Sequence, residues 1–265
     1  MTSPWYVRTA LVLALLLPVY FMAAALGTKF GLWGWQTGLG TMVIGAGPIL
    51  IGFVALVALI ALIVTIIRPP RKGWKAALVA LAIPLAIFAG LGVLRARAVA
   101  IPPIHDVATD TVTPPAFSGA VLKERAAADA NPLNGYDVPL GTLDPWKGDR
   151  FSAIANKTIG EIVRENYGTL NPISLGDISV TTALDAAAKA MREMGFEQIR
   201  IDRQTSSVEG VAETFWYGFK DDVVVRVANG KIDFRSVSSV GLSDLGANAA
   251  RIGKLRTLVA ANLPG

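Results

Sequence analysis

Three long apolar runs fill the first hundred positions of the chain: Thr9–Leu26, Leu39–Ile67 and Ala76–Leu94. Each reaches the ~18 to 20 residues a helix needs to cross about 30 Å of hydrocarbon. Backbone polar groups in lipid have to be satisfied inside the segment, so the pattern predicts three membrane-spanning helices, at about 6–26, 40–67 and 76–95. After residue 98 the apolar runs shorten. A proline-rich strap (99–118) leads into a polar region (119–265) with the mixed periodicities of an α+β domain.

Within that region Lys123–Ala130 and Ile159–Tyr167 read as short helices, and the rest of 118–172 is dominated by turn pairs such as Asn134-Gly135 and Asp144-Pro145. Thr182-x-x-Asp185 suggests the capped start of an alanine-rich helix ending at Gly195, with Ala186, Ala190 and Met194 inward. Phe196–Asp202 alternates as a half-buried strand with Ile199 and Ile201 on one side. Val211–Phe219 and Val223–Ala228 read as two further strands joined by a turn at Lys220-Asp221-Asp222. Trp216 is then expected beside Val225 and Phe234, with Phe215, Tyr217 and Phe219 on the opposite face.

Asn229-Gly230 is the strongest hairpin signal, because both residues of a type I′ turn need positive φ. A two-residue turn there sets 227 against 232, 226 against 233 and 225 against 234. Arg226 should face Asp233 as a sheet-surface pair contributing about 0.2 to 1 kcal/mol. Ser243 is placed to cap a last helix, Asp244–Leu263, with Ile252, Leu255 and Val259 at core spacing. The expected fold is an antiparallel sheet of about four or five strands with two main helices on one face.

Charge divides the chain at the same place. The first hundred residues hold eight Lys and Arg and no acid, so all twenty acidic residues lie in the remainder, against 17 basic ones. The overall +5 belongs to the membrane half, and the polar domain lacks the basic excess of a nucleic-acid surface. Arg68, Arg71, Lys72 and Lys75 in the second link place that link in the cytoplasm, with Arg8 on the same side. Three spans then carry the polar domain to the outer, periplasmic side of the inner (cytoplasmic) membrane, although Lys29, Arg95 and Arg97 oppose this bias. Ala23-Ala24-Ala25 also fits a signal-peptide cleavage site, and cleavage would leave the exit side unchanged. Trp33, Trp35 and Trp74 sit where indoles favour headgroups, and the spans contain no charged residue that would suggest an ion path. The glycine pairs Gly27/Gly31 and Gly34/Gly38 fall in the link after the first run and are weak packing signals.

With no cysteine and one histidine, thiolate chemistry and multi-histidine metal centres are excluded. His105 with Asp106 and Asp110 offers a general base and carboxylates, but on a proline-rich strap these read better as turn and packing residues. Gly241-Leu242-Ser243-Asp244-Leu245-Gly246 is not a nucleophile elbow. The start of the last helix, with Arg235 near in sequence, is a candidate anion site. No catalytic, cofactor or metal set is assigned.

The strap carries the most distinctive pattern: Ile104-His105-Asp106, Thr109-Asp110-Thr111 and Pro114-Pro115-x-Phe117. It is followed by Asp221-Asp222-Val223-Val224-Val225-Arg226-Val227, by Asp233-x-Arg235-Ser236-x-Ser238, and by Gly241-x-Ser243-Asp244-Leu245-Gly246-x-Asn248-Ala249-x-Arg251-Ile252. In this order the segments resemble the bacterial and plastid family known as domain of unknown function 1499. Ser239 and Leu242 depart from it, standing where members often carry basic residues. The resemblance implies a fold and a set of motif positions, namely His105, Asp106, Asp110, Pro115, Phe117, Asp222, Arg226, Asp233, Arg235, Ser238, Gly241, Asp244, Gly246 and Asn248. It implies no activity.

Together these readings point to a membrane-anchored, non-catalytic binding or accessory domain that serves an envelope protein partner or an apolar ligand, with the lipid bilayer as its other contact and no nucleic acid. The alternatives are a hydrolase-like enzyme built on His105 and a structural subunit of a larger membrane complex.

Overall fold

A computed structural model describes residues 3–264 and divides into two compact units. The first comprises the residues up to Ala100 together with Phe215–Gly218, and the second Ile101–Thr214 with the residues from Phe219 onward.

The first unit is built from α1 (Trp5–Lys29), α2 (Gln36–Ile67) and α3 (Trp74–Ala100), each long and apolar enough to cross a membrane. The second helix begins earlier than the apolar run, because Gln36–Ala46 is wound as a wide π-helical segment before Gly47–Ile67 continues as α-helix. A buried seam of Ala10, Ala14, Leu17, Val54, Ala58, Ala61 and Ala80 joins the three helices. Small side chains there let backbones approach closely, which is how helices associate when lipid removes the hydrophobic drive. Gly27 and Gly38 lie in helices, not in a link; the Trp33 indole covers Gly27 and donates from Nε1 to the Ala24 carbonyl at 3.1 Å.

The second unit is a six-stranded antiparallel sheet with helices, an α+β fold as expected. Its strands are β1 (Asp106–Ala108), β2 (Ile173–Ser174), β3 (Glu197–Asp202), β4 (Ser207–Glu213), β5 (Lys220–Ala228) and β6 (Lys231–Ser238). The order is β1-β6-β5-β4-β3, and β2 pairs with β6 beyond the end of β1. The helices are α4 (Gly119–Ala127), α5 (Ile159–Tyr167), α6 (Val180–Glu193) and α7 (Ala247–Asn262).

Asn229-Gly230 makes the expected hairpin: both residues have positive φ, and Val227 faces Ile232, Arg226 faces Asp233 and Val225 faces Phe234. Alternation sends Val223, Val225, Val227, Ile232 and Phe234 to one face, where they pack with Ala187, Met191, Ile252, Leu255 and Val259 of α6 and α7. Ile199 and Ile201 join the rim of this core. The other face packs Val224 and Val237 against Phe117 and Val121.

Four local expectations are corrected. The strap does not merely cross the surface, since Asp106–Ala108 pairs with β6 as an edge strand. The β4–β5 connection lies at 214–219, and Lys220-Asp221-Asp222 belongs to β5, its two carboxylates held by arginines inside the fold. Phe215, Trp216 and Tyr217 therefore sit in that connection rather than on strand faces. The cap of α6 is Ser179, whose hydroxyl accepts from the Thr182 amide at 3.1 Å, so the helix starts a turn earlier. At α7 the cap residue is Gly246 in the left-handed region, and Asp244, not Ser243, accepts from the Gly246 and Asn248 amides at 2.8 and 2.9 Å.

Candidate functional site

The motif residues meet in two polar clusters on opposite faces of the sheet. On the face away from α6 and α7, the buried Arg235 guanidinium forks onto Asp106, from Nε to Oδ1 at 3.0 Å and from Nη2 to Oδ2 at 2.7 Å. Its Nη1 donates to the Pro115 carbonyl at 3.0 Å, and the Phe117 and Tyr136 rings lie 5.5 and 5.4 Å from the cation. The Tyr136 hydroxyl donates to Asp106 at 2.7 Å, and burial together with that carboxylate pushes its pKa well above the usual phenol range. Asp106 thus serves as the counter-ion of a buried arginine and not as a turn carboxylate.

Arg226 repeats the arrangement one step along. Its Nη2 donates to Asp110 at 2.9 Å and Asp233 at 3.2 Å, and Nη1 donates to the Thr113 carbonyl at 2.9 Å. Asp110 also accepts from the Val112 and Thr113 amides, and Thr109 donates to Asp233 at 3.0 Å. The expected surface pair is therefore part of a network under the strap, with the Asp233 side chain 6% exposed. Arg125 of α4 closes the far side on Asp222 and the Asn131 carbonyl.

The second cluster locks α7 to the sheet. Asn248, fully buried, accepts from Ser236 at 2.6 Å and donates to Ser238 and to the His105 carbonyl, both at 3.0 Å. Arg251 donates to Ser236 at 2.9 Å and to Asp221 at 2.5 Å. Gly241 has positive φ, and its carbonyl accepts from Asn131 at 2.8 Å. Burial raises the Asp221, Asp222 and Asp244 carboxyls above their ordinary values. Strand alternation also separates Arg235 from the amino end of α7: Ser236 meets α7, so Arg235 points to the other side. The anion site expected from their nearness in sequence is not formed.

His105 is buried and its imidazole lies nearly parallel to the Trp146 indole, with centroids 5.6 Å apart. Neither ring nitrogen has a partner in good hydrogen-bond geometry, although backbone groups of Pro132 and Leu242 lie near enough to favour the charged ring slightly. Burial lowers its pKa, so the ring is neutral at physiological pH. It has no open approach for a substrate, and its backbone carbonyl, which accepts from Ser238 and Asn248, is what the fold uses.

One open cleft of this unit, of about 720 Å³, lies between the strap turn, the Leu133–Asp137 segment and the start of α5. Thr158 and Glu161 cap α5 reciprocally, and Arg164 reaches from α5 to the Thr111 hydroxyl at 2.8 Å. Gly160 lets the two segments approach, since a side chain there would meet the Tyr136 and Thr111 carbonyls at about 3 Å. Val112 stands at the cleft 87% exposed, and the Asn134 amide nitrogen is buried without a protein partner. Arg235 also lines the cleft, but its fork is committed to Asp106. Of the sequence candidates, only Arg235 reaches this space. Tyr136 and Asn134 were not anticipated, because the stretch before α5 shows turns without periodicity, with Asn134-Gly135 as a local signal; Arg164 lies in α5, the helix expected at Ile159–Tyr167.

The family model described as "Protein of unknown function (DUF1499)" matches residues 106–259. The chain belongs to that family. No curated protein and no solved structure matches it. The family match begins at β1 and ends in α7, so it coincides with the sheet unit and leaves the three apolar helices outside. Within the matched segment, the motif residues read from the sequence hold strap, sheet and last helix together. Among the departures, Leu242 packs against the main core and Ser239 donates its amide to the Lys220 carbonyl.

Proposed function

We propose that this chain is a membrane-anchored binding or accessory module whose α+β domain, on the outer side of the cytoplasmic membrane, engages an envelope partner at the cleft beside the strap. The observation that carries the reading is the division of labour among polar groups. The charged motif side chains are spent on the fold in pairs and forks, and the unpaired imidazole of His105 is buried against Trp146. The cleft instead presents an exposed Val112 and the accessible groups of α5. Its mixed lining suits a polar segment of a partner better than the apolar ligand that composition suggested. The basic link between α2 and α3 supports the outer placement of the domain.

The test is purification of the full chain in mild detergent, wild type against Val112→Glu, with co-purifying species identified in both. A species held by the wild type and lost from the variant supports the cleft; identical sets sink it. Turnover of a defined substrate by the full chain that disappears in His105→Ala overturns the non-catalytic reading altogether.

A further inference from the structure

The connection between β4 and β5 carries Phe215-Trp216-Tyr217-Gly218, and these four residues group with the three-helix unit. Phe215 is 72% exposed and Trp216 50%, their rings packed edge to face with centroids 5.1 Å apart. Indole and phenol side chains favour the headgroup level of a bilayer, where one end of the ring is apolar and the other wet. Within the unit, Lys29 at the end of α1 donates from Nζ to the Phe215 carbonyl at 3.0 Å, with its ammonium 5.3 Å from the centre of the Phe215 ring. A span ends where hydrocarbon ends, so this contact sets the depth of the aromatic loop at the membrane boundary.

Trp216 and Tyr217 also line a groove of about 690 Å³ whose walls include Pro18, Met22, Leu91 and Leu94. The lining is almost wholly apolar, and Arg97 is its one charged residue. The anchor sequence contains no acid that could neutralise Arg97 from within.

We propose that the groove and the aromatic loop form a site for an anionic phospholipid of the surrounding bilayer. An acyl chain lies along the apolar walls, the phosphate pairs with Arg97, and the indole and phenol rings bracket the glycerol level. The inference rests on reading the three helices as membrane spans.

The test uses the full chain in nanodiscs. Trp216 emission, isolated as the difference between wild type and Trp216→Phe, should be quenched by lipids brominated near the headgroup end of the chain and not by aqueous iodide. The reverse pattern overturns the depth assignment. In nanodiscs of mixed phosphatidylglycerol and phosphatidylcholine, native mass spectrometry should find phosphatidylglycerol retained over phosphatidylcholine by about fivefold. Arg97→Gln should abolish that preference, whereas Lys75→Gln, at the other end of α3, should keep it. No preference in the wild type, or equal loss in both variants, reduces the groove to ordinary annular contact and overturns the proposal. Release of the wild type from native membranes by alkaline carbonate would instead remove the span reading itself, a failure separate from either outcome in nanodiscs.

Discussion

The two faces of the sheet are closed by different means. On one, α6 and α7 lay apolar side chains on the strands, and a single polar seam through Asn248 and Arg251 fixes the last helix. On the other, the cover is α4 and an irregular strap, and three arginines, at 125, 226 and 235, collect its carbonyls and carboxylates. A helix satisfies its own backbone and asks only for an apolar stripe. Irregular chain leaves carbonyls unpaired, and a forked guanidinium can take two or three of them at once.

The sharpest way to break this contrast is Arg235→Ala, which strands Asp106 as a buried charge and should cost about 3 to 5 kcal/mol in chemical denaturation. A loss below ~1 kcal/mol would mean that the strap face does not depend on its arginines. Asn248→Ala tests the helix face. It leaves the His105 carbonyl and the Ser236 and Ser238 hydroxyls short of partners, for an expected ~1 to 3 kcal/mol. Hydrogen exchange should quicken in α7 and at β1, while residues 109–113 stay protected. Arg226→Lys keeps the charge but loses the fork, so a smaller loss of about 1 kcal/mol is expected, with faster exchange confined to 109–113. Exchange spreading to α7 would show that the two faces are not independent.

The smallest effect concerns His105. Its pKa is held below the ordinary 6.5, so below that pH the unfolded chain binds the proton and the folded chain resists it. Stability present above pH 6.5 is therefore lost as pH falls through 6.5 toward the folded value. The raised carboxyls of Asp221, Asp222 and Asp244 act the other way, adding stability as pH falls, so the readout is the difference from His105→Phe. Between pH 7.5 and 5.5 the wild type should lose more Tm than the variant, and equal losses would mean that the imidazole ionises freely in the folded chain.

The same contrast explains what could be read in advance. The hairpin at Asn229-Gly230 follows from two residues, and its register follows by counting, so it was legible to the last pair. The helix-covered face was legible because Ile252, Leu255 and Val259 repeat at helical spacing. The strap face was not, because Arg226 and Arg235 bind residues more than a hundred positions away, a relation without periodicity. Lys220-Asp221-Asp222 misled for a related reason: a polar triplet resembles a turn unless the buried arginines that neutralise it are known. The aromatic run 215–217 looked like a strand because composition cannot tell a core stripe from an exposed tip.

Finally, β6 does not end the sheet with an open edge, since β1 and β2 together occupy its outer side. The opposite margin is β3, where a bulge between Glu197 and Arg200 breaks the ladder and Gln198 takes positive φ. Glu197, Arg200 and Asp202 spread charge along it. A bent, charged strand is a poor template for a second chain. Strand-on-strand addition at the β3 margin is thereby disfavoured.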